Sequence, residues 1–119
     1  MVETKVFNIG GKDYHLRCSL LTAEAYERMT GKKYTKIITM FRSLGEIGDN
    51  TDKLMEDLLE IETGALYMAY CMIQEAKHKG YNQDFNLSAE EWIGEVGALS
   101  SNELKGVLAL AMSIFPRKV

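Results

Sequence analysis

The chain has 119 residues, 46% of them hydrophobic and 26% charged, with a formal net charge of −3 and a single proline. That length makes one domain, able to bury about two-thirds of its unfolded surface without a disulfide or metal staple. A pI near 5.4 argues against nucleic acid as the default partner, because phosphate neutralisation calls for a basic surface.

The charge is unevenly placed. Residues 1–42 carry eight Lys/Arg against four Asp/Glu, and residues 43–119 carry six against thirteen. Two solvated faces of one domain is the plain reading. The sharper one is that the halves attract each other, or attract copies of the protein head to tail. Cys18 and Cys71 lie far apart in apolar patterns, which suits free buried thiols in a reducing compartment better than a disulfide. The opening MVETKVFNIGGKDYHL lacks the basic-then-apolar plan of a signal peptide.

In chain order, KVFNI (5–9) and DYHLRC (13–18) flank Gly10–Gly11. Phe7 and Ile9 share one parity, and Tyr14, Leu16 and Cys18 another. Alternation on both sides of a Gly-Gly predicts a β-hairpin over residues 1–19, because a tight primed turn needs positive φ. Asn8, Asp13, His15 and Arg17 would face water, and the apolar face would lie on helices, since a lone hairpin is marginal.

LLTAEAYERMT (20–30) places Leu21, Ala25 and Met29 on one stripe, with Gly31 as its stop. A second helix runs from a Thr35 cap to Leu44, with Ile37, Phe41 and Leu44 at helical spacing. Glu46–Thr51 reads as a loop. After an Asn50 or Thr51 cap, Leu54, Met55, Leu58, Leu59 and Ile61 oppose an acidic side of Asp52, Glu56, Asp57, Glu60 and Glu62. Gly64 then interrupts. Its cost of only ~1 kcal/mol relative to Ala does not force a break; a short helix followed by a long one is favoured all the same over a single kinked helix.

From Ala65 to Ile73 the chain has no charge and is apolar on every side, the mark of a helix that other elements surround. Nine residues fall well short of the ~20 that cross a bilayer. Tyr81–Phe85 connects. Leu87-Ser-Ala-Glu-Glu-Trp92 reads as a capping box with a hydrophobic staple, Ser88 paired with Glu91 and Leu87 with Trp92. Ser100 and Glu103 repeat the box ahead of a last helix whose inner face holds Leu104, Val107, Leu108, Ala111 and Phe115. The predicted fold is mostly α (α+β): an N-terminal hairpin packed on a compact bundle of five to six helices over residues 20–115, all one domain, 1–119.

No catalytic or metal pattern emerges. His15 falls on the outer face of a strand and His78 near a helix end, with no CxxC or HxxxH. Cys71 sits in the most apolar turn of the chain, a core position rather than a nucleophile's. Gly10–Gly11 has no following Lys-Ser/Thr and no helix start, so it is no phosphate loop. The acids of 56–62 are a solvated helix face. Seven Met and six Tyr are in excess, however, and Met40, Phe41, Tyr67, Met68, Tyr70 and Met72 lie on helices. Met adapts to irregular partners and Tyr gives rigid contact area, so these six are the candidate lining of a groove for other helices, weighed against ordinary core packing.

The order of features carries a resemblance. KVFNIGGKDYHLR leads into LLTAEAYERMTGKK; an apolar central helix, a capped NLSAEEWIGEV segment and a final amphipathic helix follow. This layout resembles the small tail assembly chaperones of long-tailed bacteriophages and prophages, over most of the chain though without a single diagnostic motif. The resemblance implies a non-enzymatic protein with no cofactor, working in the bacterial host cytoplasm and left out of the mature virion. Its partner would be the tape measure protein, kept soluble until tail tube subunits polymerise around it, with weak homo-oligomers as a further expectation. The alternatives are a small helical adaptor of another phage or bacterial assembly, and a DNA-associated regulator using Lys32, Lys33, Lys36 and Arg42.

Overall fold

The computed structural model describes residues 2–43 and 51–115, with the backbone alone for residues 51–54. Two strands, β1 (Thr4–Ile9) and β2 (Lys12–Arg17), precede five helices: α1 (Leu20–Thr30), α2 (Tyr34–Arg42), α3 (Thr51–His78), α4 (Ala89–Val96) and α5 (Ser101–Met112). Residues 46–50 of the expected 46–51 loop, the Asn50 cap, Leu44 at the end of the second helix and the polar tail at 117–118 lie outside the described residues, and Thr51 is already helical.

Gly10 and Gly11 both adopt positive φ (62° and 86°), so β1 and β2 join by the two-residue primed turn that matches strand twist. The antiparallel register sets Phe7 opposite Tyr14 and Ile9 opposite Lys12. Ile9 and Leu16 are buried on the face that meets the helices. On the other face Asn8 and Asp13 bond to each other at 3.0 Å, as solvent-facing partners. His15 is only half-exposed, because its ring stacks on Tyr81 with centroids 4.7 Å apart, and Arg17, which donates to the Val2 carbonyl, is half-exposed too.

The largest departure from the sequence reading is α3. It runs unbroken through Gly64 for 28 residues, rather than as two helices. A Cβ at position 64 would stand 2.7 Å from Ile37 Cγ1 and 3.2 Å from the Tyr26 hydroxyl. The glycine is there for close approach: α2 and α1 press directly on the α3 backbone. The α2 cap also differs. The helix begins at Tyr34, preceded by Lys33 with no side-chain cap, so Thr35 lies inside the first turn. The orphan Tyr34 N–H is taken instead by the Glu27 carboxylate of α1, at 2.8 Å.

Around the middle of α3 every side is covered, and Ile61, Ala65, Met68, Ala69, Met72, Ile73 and Ala76 are sealed. Tyr14, Tyr70, Phe85 and Trp92 pack edge-on or tilted against one another, with neighbouring centroids 5.8–6.4 Å apart. The Tyr70 hydroxyl donates to the Leu87 carbonyl at 2.8 Å and accepts from Gln74.

Both expected capping boxes are present, at Ser88/Glu91 and at Ser100/Glu103. A third, Ser19 with Thr22, starts α1. Glu103 also accepts the Gly10 N–H at 3.0 Å, so one carboxylate ties the hairpin turn to the start of α5. Phe115 is not on the inner face of α5. The helix stops at Met112, and Phe115 lies beyond it, partly exposed and tilted against Tyr34 at 6.1 Å.

Two outcomes test this packing. Gly64→Ala should destabilise by about 1–2 kcal/mol, the overpacking cost exceeding the roughly 1 kcal/mol gained in helix propensity, read from urea midpoints. Glu103 is held below the ordinary carboxylate range, chiefly by the Ser100 N–H and further by that of Gly10. A lowered folded pKa stabilises above the unfolded value and is lost as pH falls through the folded one. Glu103→Gln should therefore flatten the acid limb of stability below about pH 4.5, with little effect on its slope near neutrality.

Candidate partner surface

The six candidate groove residues do not form one surface. Met68, Tyr70 and Met72 are core side chains, buried because α3 is enclosed by its neighbours over this stretch. This corrects the expectation that they line a groove. Met40, Phe41 and Tyr67 are half-buried and pack against the same core, the first two from α2 and the third from α3. The Tyr67 hydroxyl reaches Glu90 of α4 at 3.5 Å.

Apolar surface is exposed elsewhere. On α1, Leu20 is 72% and Leu21 65% exposed, with Met29 nearly half-exposed two turns on. The stripe of Leu21, Ala25 and Met29 exists, but Leu21 and Met29 face outward, and only Ala25 between them packs against the core. Thr22 and Tyr26 form the buried side of α1 instead. The reason lies at the cap. The Thr22 hydroxyl and Ser19 Oγ both donate to the Glu75 carboxylate of α3, at 2.8 and 3.0 Å, and this turns Thr22 inward. Ser19-x-x-Thr22 was the available sequence signal. On α3, Met55 is 64% and Leu59 71% exposed, with Leu58 at the boundary. Of the apolar side read at 54–61, Met55, Leu58 and Leu59 thus stand open and Ile61 goes under.

Between α1 and α3 lies a groove of about 250 Å³. Leu21, Ala25 and Met29 form one wall, and Cys71, Gln74 and His78 the other. Its rim carries the Arg28–Glu24 ion pair at 3.3 Å, exposed on both sides and worth little in stability. At the far end of α1, Glu60 binds Lys36 at 3.0 Å and Lys32 at 3.7 Å. The hydrogen bond from Lys36 leads in holding its carboxyl below the ordinary range. Here the basic and acidic parts of the chain meet within one molecule.

The surroundings of both thiols are those of structural cysteines. Cys18 and Cys71 are free and buried. Burial pushes the Cys71 thiol up to about 12 and raises Cys18 as well. Tyr34 O–H donates to the Ala111 carbonyl at 2.8 Å, which leaves Cys18 Sγ, 3.4 Å away, as donor to the phenol oxygen. Among the described residues no three His, Cys, Asp or Glu side chains converge as metal ligands, and no helix is long and apolar enough to cross a membrane. Compared with protein-family models, with curated proteins and with solved structures, the chain matches none.

These thiols make a simple check on the packing. A thiol reagent at pH 8 should leave both cysteines unlabelled in the native protein and modify both after denaturation. Rapid native labelling of Cys71 would mean that the α1–α3 groove opens to its floor.

Proposed function

We propose that this chain is a tail assembly chaperone of the bacteriophage or prophage type, which binds helical segments of a tape measure protein and keeps them soluble during tail tube assembly. The observation that carries the reading is the outward apolar face of two helices: Leu20, Leu21 and Met29 on α1, and Met55, Leu58 and Leu59 on α3. Single exposed apolar residues are ordinary on a protein surface. Two clustered sets on helix faces suit the capture of another helix. The hairpin-first layout supports the same family.

The proposed mechanism is helix-in-groove docking. A tape measure helix lays its apolar stripe along α1, where Leu21, Ala25 and Met29 repeat every four residues beside the groove. Each contact is small, so each copy binds weakly. Many copies along one long ligand gain through effective concentration, and polymerising tube subunits can displace them. Nothing in this mechanism needs a cofactor, and its place is the host cytoplasm before the virion is complete.

Co-expression with the candidate tape measure protein tests the reading. Wild type should raise the soluble fraction of the long protein, and Leu21→Glu with Leu59→Glu should abolish that rise while leaving the circular dichroism unchanged. Met72→Glu, by contrast, should unfold the chaperone, since an unpaired buried charge costs several kcal/mol. A tape measure protein equally soluble without this chain would overturn the proposal.

A further inference from the structure

The two edges of the hairpin are treated differently. Residues flanking a two-residue turn form a hydrogen-bonded pair, so Ile9/Lys12, Phe7/Tyr14 and Lys5/Leu16 exchange the ladder bonds. The N–H and C=O groups of Thr4, Val6 and Asn8 therefore point away from β2, and those of His15 point away from β1. At His15 the edge is closed. Asn82, its backbone in the left-handed region (φ 50°), accepts with its side-chain oxygen from His15 N–H at 3.0 Å and donates its amide nitrogen to the His15 carbonyl at 2.8 Å. One carboxamide imitates a neighbouring strand and blocks that position.

Among the described residues the β1 edge has no such plug. β1 pairs only with β2, and no second strand lies beside it among the described residues. Its outer row, Val2, Thr4, Val6 and Asn8, is uncharged, and Val6 is 58% exposed. Under the start of the strand runs an open cleft of about 350 Å³, lined by Glu3, Lys5, Leu20, Leu110 and Ile114 among others. Arg17 holds the segment before β1 alongside the hairpin through the Val2 carbonyl at 3.2 Å, and that oxygen keeps a second lone pair.

We infer that β1 is the docking edge for β1 of a second copy of this chain, pairing antiparallel about a two-fold axis at Thr4 to make a four-stranded sheet. Charge selects the register. With Thr4 on the axis, Val2 faces Val6 of the other copy, and Glu3 faces its Lys5, twice over by symmetry. Moving the axis to Lys5 opposes two lysines, and moving it to Val6 leaves Lys5 against Phe7. Only the Thr4 register brings opposite charges and β-branched side chains together, each pair contributing modestly. The interface is small, so the dimer is weak, forming over about micromolar to millimolar concentrations. It does not rest on tape measure capture, because the pairing is made by β1 backbone groups and by Glu3 with Lys5; Leu20 of the α1 face only lines the neighbouring cleft.

Sedimentation equilibrium across that range tests it. Thr4→Pro removes an edge donor without touching a ladder bond within the hairpin, so it should keep the fold and weaken dimerisation by about tenfold or more. Lys5→Glu should weaken it by about tenfold, and adding Glu3→Lys should restore it. A wild type still monomeric at about 1 mM, or a dimer indifferent to Thr4→Pro and to the charge swap, would overturn the inference.

Discussion

The contact between Ile37 and the bare backbone of Gly64 sets the arrangement of the helices. Because residue 64 has no side chain, α2 and the Tyr26 end of α1 come down onto α3 itself. The helix stays straight enough to continue for 28 residues and is covered all round its middle. Sulfur and aromatic side chains that could have served a partner are thereby used in folding. Met68 and Met72 fill the centre, and Tyr70 closes the aromatic cluster against α4. The same geometry leaves the first turns of α3 beyond that cover. It also leaves α1 with its inner face built from Thr22 and Tyr26, and its outer face from leucine and methionine.

Sequence disclosed those features that depend on neighbours a few residues apart. The Gly-Gly turn, the alternation beside it, the boxes at Ser88 and Ser100 and the inner face of α5 up to Ala111 all follow from local rules, and all are present. What failed was what depended on tertiary neighbours. Propensity alone cannot say whether a glycine interrupts a helix or admits another one, and at Gly64 it admits another. A three-residue apolar stripe on α1 looks the same whether it faces in or out. Its phase is decided by Ser19 and Thr22 reaching Glu75, 53 to 56 residues away. The candidate partner residues failed for a related reason. Composition marks Met and Tyr as versatile contacts, yet a helix apolar on all sides is the first to be buried. Three of the six named positions went into the core, and the exposed apolar residues came from stretches read as packing faces.

Chemistry and surface then point the same way. The thiols are buried with raised pKa values, and several acids are engaged within the fold: Glu91 and Glu103 in caps, Glu75 in the α1–α3 tie and Glu60 with Lys32 and Lys36. Among the described residues, the surface that stands open includes apolar helix faces, together with one strand edge. On the proposed reading these have separate duties. The helix faces hold a helical client weakly and repeatedly, and the edge joins two copies of the chaperone.

The central claim is that a client touches the outer faces of α1 and early α3 and leaves the middle of α3 alone. Methyl NMR of Leu- and Met-labelled protein, titrated with a helical fragment of the tape measure protein, reads this directly. The account predicts shifts at Leu20, Leu21, Met29, Met55, Leu58 and Leu59, with Met68 and Met72 unmoved. Large shifts at Met68 and Met72 with silent α1 methyls would contradict it, and would place the client where the structure has only core.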